Sequence, residues 1–189
     1  RFDKAYYDRF YREPATRSST PQAVKKHATF ITAYLEHLNL GVMSILDIGC
    51  GVGSLLRELG RRYPQANLKG VEHSSYACER YGWESGSVIN CEGPQADLVI
   101  CNDVVPYLDD EGATQAMTNL ARLTDTVLFF GALTREDWPN CDKVRTDVLQ
   151  HLRSDLWYRT RLERHFESIG GGLYLKKPVK TVVWSLDHG

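Results

Sequence analysis

The run Ile45-Leu46-Asp47-Ile48-Gly49-Cys50-Gly51-Val52-Gly53 restricts the possible folds more than any other stretch of the chain. An apolar strand feeds directly into three alternate glycines. Residues 54–63 follow with Leu55, Leu56 and Leu59 on one helical face, and Pro64 stops the helix. Strand, glycine turn and helix in that order belong to a parallel sheet built from crossover units. Glycines at the turn let the chain bend sharply and let a ligand meet the main chain with no Cβ in the way, while N–H groups at the helix start point toward it.

Short runs rich in Val, Ile and Leu alternate with amphipathic stretches from residue 44 onward, which predicts an α/β protein. The strand candidates are residues 44–48, 68–72, 87–90, 97–101 and 126–132, then 173–176 and 181–186. Helices are expected over 109–123, where Ala113, Ala116, Met117, Leu120 and Leu123 share a face, and over 147–168, ended by Gly170-Gly171-Gly172. The connection 177–180 is short enough to make the last two strands an antiparallel hairpin. Residues 1–43 read as a separate cap, with five aromatics over 2–11, Tyr11 among them, and a helix over 23–40. This cap either lies over the ligand edge of the sheet or covers a flank of the core. Residues 44–189 form the ligand-binding domain, one unit of ordinary size.

Composition narrows the partners. The 23 basic and 24 acidic side chains nearly cancel, so no overall positive field exists to attract nucleic acid or an anionic membrane. Cysteines 50, 78, 91, 101 and 141 form no C-x-x-C pair and no zinc-spaced cluster, and the polar set Asn140, Cys141, Asp142, Arg145 and Asp147 is no convincing ligand set, so no metal is expected. No apolar run approaches the roughly 20 residues that span a bilayer, and the chain opens on Arg1 without a signal-peptide pattern; a cytoplasmic monomer or homodimer is the expectation.

A glycine turn alone is shared by dinucleotide sites and phosphate loops. Acids decide between them: Asp47 stands two residues before the first glycine, and Glu72 closes the next strand about 20 residues on, where a carboxylate can accept ribose hydroxyls. A pyrophosphate would meet the negative charge of Asp47, and the Gly-x-Gly-x-x-Gly spacing is missing.

Asp47-Ile48-Gly49-Cys50-Gly51-Val52-Gly53 with Glu72 resembles the class I S-adenosylmethionine (SAM)-dependent methyltransferases, and residues 97–108 resemble their fourth strand and following loop. The resemblance covers about residues 44–186. It implies a three-layer, Rossmann-like sandwich whose seven-stranded sheet is parallel except for the last strand, with SAM as cofactor. By matching position, Gly49, Cys50, Gly51 and Gly53 would line the methionine part and Asp47 would hold its ammonium. Glu72 would bind the ribose; His73, Asn90 and Cys91 would face adenine, although the family usually has an aspartate where this chain offers Asn90 or Glu92. Asn102 and Asp103 would sit beside the sulfonium.

Candidates for removing a proton from the acceptor are Asp103, Glu136, Asp137 and His151, and a substrate rim is expected from Tyr11, Tyr107 and Trp138. The Asn/Asp-Pro-Pro-Tyr/Phe run of many nitrogen-methylating enzymes is absent from residues 102–107, which with the neutral charge favours a small-molecule acceptor. A SAM-binding regulatory or scaffold subunit and an aminopropyl transferase remain the alternatives.

Overall fold

Strands β1 (Ser44–Ile48), β4 (Ala96–Asn102) and β5 (Thr124–Gly131) are apolar almost throughout because helices cover both of their faces. In the computed structural model, which describes residues 1–183, their side chains alternate between two cores. Leu46, Ile48, Val99, Cys101, Leu128 and Phe130 point to one core, and Ile45, Leu98, Ile100, Val127 and Phe129 to the other. Helices α2 (Pro21–His37) and α3 (Ser54–Arg62) close the second core through Ile31, Leu35, Leu56 and Leu59. Helices α5 (Asp110–Leu123) and α6 (Asp155–Leu162) close the first through Met117, Leu120 and Leu162. The result is the expected three-layer α/β sandwich.

Seven strands run in the order β3-β2-β1-β4-β5-β7-β6, with β2 at Asn67–Glu72, β3 at Glu84–Ser85, β6 at Phe166–Gly170 and β7 at Leu173–Lys176. Every pairing is parallel except those of β7, which is antiparallel to β5 and β6. The order reverses between β1 and β4, so their carboxyl ends diverge around a crevice. The N-terminal segment reaches this edge as α1 (Lys4–Tyr7) running into a π-helical turn at Asp8–Arg12.

Four sequence expectations are corrected. Residues 87–90 form a turn and not a strand, because the N–H groups of Asn90 and Cys91 bond back to the Ser87 carbonyl; the third strand is the brief Glu84–Ser85. The helix expected over 147–168 is only α6, capped by the Ser154 hydroxyl, and Val148 and Leu149 stand 58% and 67% exposed. Phe166 then opens β6, and Gly171-Gly172, with φ of +62° and +80°, is a two-residue hairpin turn and not a helix stop. Of the expected strand 181–186, residues 181–183 are not strand and 184–186 lie outside the described residues.

Candidate functional site

The glycine turn sits at the carboxyl end of β1. Gly49, Gly51 and Gly53 take φ of +75°, +55° and +70°, a region that residues with a Cβ rarely adopt. A Cβ on Gly53 would meet the Trp83 ring at 2.2 Å, and one on Gly51 the Tyr11 hydroxyl at 2.9 Å, so close packing and backbone both demand glycine.

The turn's own N–H groups do not face a ligand. Gly49 N and Cys50 N donate to the Val71 carbonyl at 2.7 and 3.3 Å, Gly53 N donates to the Cys50 carbonyl at 2.7 Å, and Gly51 N donates to Glu72 Oε2 at 2.7 Å. The other Glu72 oxygen accepts from His73 N and Ser74 N at 2.8 and 2.9 Å. Trp83 Nε1 donates to the Gly51 carbonyl at 2.9 Å, so the Gly51 peptide is gripped from both sides. Among the described residues, N–H groups without a partner lie one step further on, at Ser54 and Leu55 in the first turn of α3, and both residues border the same cavity.

Asp47 and Glu72 are 5% and 6% exposed. Asp47 accepts no hydrogen bond and meets no cation among the described residues, and burial together with the negative charge of Glu72 pushes its pKa up to about 7. Two buried carboxylates, one without a partner and both facing a cavity, form a site for a cation. The cavity measures about 1250 Å³. Its floor is the carboxyl edge of the sheet, and Phe2, Tyr6, Tyr7, Phe10 and Tyr11 roof it. The roof is anchored: Tyr6 and Tyr107 hydroxyls meet at 3.1 Å, and Ser74 Oγ donates to the Phe2 carbonyl at 2.5 Å.

A sequence profile described as "Methyltransferase domain" matches residues 9–170, most of the chain, including the glycine turn, Asp47 and Glu72. The chain belongs to the methyltransferase-domain family. Among curated relatives, an uncharacterized methyltransferase of Mycobacterium tuberculosis is 28% identical over 130 residues, covering 64% of this chain and 59% of its own. The chain thus spans under two thirds of the first relatives it matches. A trans-aconitate 2-methyltransferase of Pseudomonas paraeruginosa is 26% identical, over 78% of this chain and 51% of its own. Among solved structures, magnesium protoporphyrin IX methyltransferase from Synechocystis PCC 6803 with bound SAH, the demethylated form of SAM, superposes with a TM-score of 0.63 at 19% identity, over 93% of each chain.

This methyltransferase domain brings many of the expected residues together. Asp47, Gly49, Cys50, Glu72, His73, Asn102, Asp103, Tyr11, Tyr107 and Asp137 all border the cavity, and Gly51 and Gly53 complete the turn beneath it. Asp103, with φ of +56°, is exposed to the cavity; the protein packed around its carboxyl raises its pKa by desolvation, while the hydrogen bond from Asn102 at 3.1 Å opposes the rise.

Other candidates lie elsewhere. Asn90 is exposed away from the cavity, and Cys91 is buried against Asn119 and Arg122; Gly86, Ser87, Val88 and Ile89 take their place along the wall. Glu136 accepts from Asp155 N at the start of α6, so it caps a helix. His151 is exposed, its N–H bonded to the Pro106 carbonyl. Trp138 lies outside the cavity with Lys143 Nζ 5.1 Å from its ring centre.

Sequence reasoning missed His27, on α2, which borders the cavity with its ring 4.8 Å from Phe129 and edge-on to it. Burial lowers its pKa and the field of Asp103 pulls it back. A histidine on a helix joining the sheet's edge left no local signal. Trp83 left none either, since no motif marks an indole that grips a backbone carbonyl.

Proposed function

We propose that this methyltransferase domain binds SAM across the carboxyl ends of β1 and β2 and transfers its methyl to a small-molecule acceptor held under the aromatic roof. The observation that supports the reading best is the unpartnered, buried Asp47 carboxylate beside the Glu72-gripped glycine turn, a charge pattern suited to a cationic nucleoside ligand. In this reading Asp47 holds the ammonium and the first turn of α3 meets the carboxylate of the amino-acid end. Glu72 Oε2, bonded once already, keeps a lone pair for a ribose hydroxyl, and Ser87 and Ile89 border the base in place of Asn90 and Cys91. SAM supplies an electrophilic methyl on a sulfonium.

The remaining work is alignment and exclusion of water. Pockets for single ligands run to roughly 1,000 Å³; the cavity here exceeds that, which leaves room for cofactor and acceptor side by side. The roof aromatics shield the reacting atoms. Where the acceptor carries a proton, Asp103 and His27 border the cavity that would hold it, and partial desolvation by the surrounding protein raises the pKa of the first and lowers that of the second. Small acceptors are also named for relatives, including trans-aconitate.

Calorimetry with SAH tests the cofactor assignment. Glu72→Gln, which loses one oxygen's capacity to accept, is expected to weaken SAH by about 1–3 kcal/mol with unchanged circular dichroism. No SAH binding by the wild-type chain refutes the proposal. A labelled-methyl screen across small acids, phenols, amines and thiols then separates a transferase from a regulatory SAM-binding subunit, and decarboxylated SAM separates it from an aminopropyl transferase.

A further inference from the structure

The wall of the cavity holds a charge that no group among the described residues pairs with. Arg17 borders the cavity, its Nε is out of solvent, and its guanidinium meets no hydrogen-bond acceptor or carboxylate among the described residues. Its main chain is fixed: Arg17 N donates to the Glu13 carbonyl at 2.8 Å, and Arg145 donates to the Arg17 carbonyl at 3.3 Å. Arg145 is itself paired with Asp142 at 3.3 Å and acts as a strut. Gln150, from the same loop after β5, also borders the cavity and keeps its Oε1 buried and without a partner, while its Nε2 donates to the Asp147 carbonyl. A buried donor and a buried acceptor left open at one cavity are costly to the free protein and are satisfied by a ligand that both accepts and donates.

We propose that Arg17, with Gln150, is the subsite for an acceptor that bears a carboxylate, the guanidinium pairing its two oxygens and the amide oxygen taking a neighbouring hydroxyl or N–H. The proposal rests on the reading of the cavity as a methyltransferase site and names the class of its acceptor. Arginine's planar fork matches a carboxylate bidentately. A dianionic phosphate is disfavoured, because Asp137, Asp142 and Asp147 border the same region. The cofactor's own carboxylate is the rival partner, but it has donors at the start of α3, whereas Arg17 is tied to the loop after β5 by Arg145. Apolar parts of the acceptor would lie against the rings of Phe10 and Tyr6, 4.9 Å apart in the roof.

The test uses the full chain saturated with SAH, and a panel of aromatic and aliphatic carboxylic acids and hydroxy acids, each beside its primary amide, read by saturation-transfer NMR and calorimetry. At least one acid is expected to bind at least tenfold more tightly than its amide. Arg17→Met should abolish that preference, Arg17→Lys should keep part of it, and SAH affinity should change less than twofold in both. A panel in which no acid outbinds its amide overturns the proposal, as does an Arg17→Met chain that keeps the preference. Loss of SAH affinity in Arg17→Met, with decarboxylated SAH unaffected, overturns it in favour of the cofactor's carboxylate. Failure of the wild-type chain to bind SAH defeats the underlying reading, and is visible before any acid is added.

Discussion

At the scale of single residues, Asp47 is the most informative. Its ordinary pKa is 3.8 and burial beside Glu72 lifts it to about 7, so between those values the folded chain holds a proton that the unfolded chain has released. Stability of the ligand-free protein therefore falls as pH rises from about 4 to about 7, on the order of 1.4 kcal/mol for each pH unit, and levels off above. Asp47→Asn should flatten that part of the stability curve and raise stability at pH 8, as read by urea unfolding at a series of pH values; a parallel loss in mutant and wild type would mean that Asp47 is solvated. The same residue predicts proton release on ligand binding. A cation favours the ionised carboxylate, so SAM binding at pH 6.5 should liberate protons, detected as a heat that changes with the buffer's ionisation enthalpy, and affinity should rise between pH 6 and 8.

At the scale of elements, the N-terminal segment and the loop after β5 decide what the cavity can admit. The segment docks through the Tyr6–Tyr107 hydroxyl pair, the Ser74 bond to Phe2, the Arg12 bonds to the Tyr76 and Tyr81 hydroxyls, the Arg1–Asp147 ion pair and the buried rings of Tyr7 and Phe10. Most of these ties are side-chain contacts made outside the strand ladder, and segments held in that way open locally at lower free energy than core strands. Backbone amides of residues 4–12 should accordingly gain protection from hydrogen exchange when SAH binds; unchanged exchange would leave the segment as a fixed cover. The loop is held differently, by Arg153, which is 5% exposed, bonds Asp110 at 2.8 Å and the Leu108 carbonyl at 2.6 Å, and anchors the bridge from Arg153 to Thr134. Trp138 lies on the far side of that loop, so Trp138→Ala should leave acceptor KM within about twofold in steady-state assays, whereas a tenfold rise would return it to the rim.

At the scale of the whole molecule, ligand and fold should stabilise each other, because the site joins β1, β2, β4, α3 and the N-terminal segment across sequence distance. SAH at 100 times its Kd should add about 2.7 kcal/mol to unfolding, and a thermal shift absent at saturating SAH would mean that no such site exists. The linear chain already determined much of this arrangement. Asp47, the three glycines and Glu72 lie within one strand–turn–helix–strand unit, so local pattern was enough to place them, and apolar runs buried on both faces implied the parallel sheet. The edge strand at Glu84–Ser85, the Gly171-Gly172 hairpin and the short α6 were decided by tertiary pairing, since each is too short for periodicity to mark and each depends on a neighbour distant in sequence. The same holds for chemistry. Asn90, Cys91, Glu136, His151 and Trp138 carried suitable side chains in suitable stretches yet face elsewhere, while Arg17, His27, Trp83 and Gln150 gained their places only when folding brought a helix, a turn and a loop to one sheet edge. Side-chain type is written in the sequence; which open hydrogen bonds share one cavity is a property of the packed chain alone.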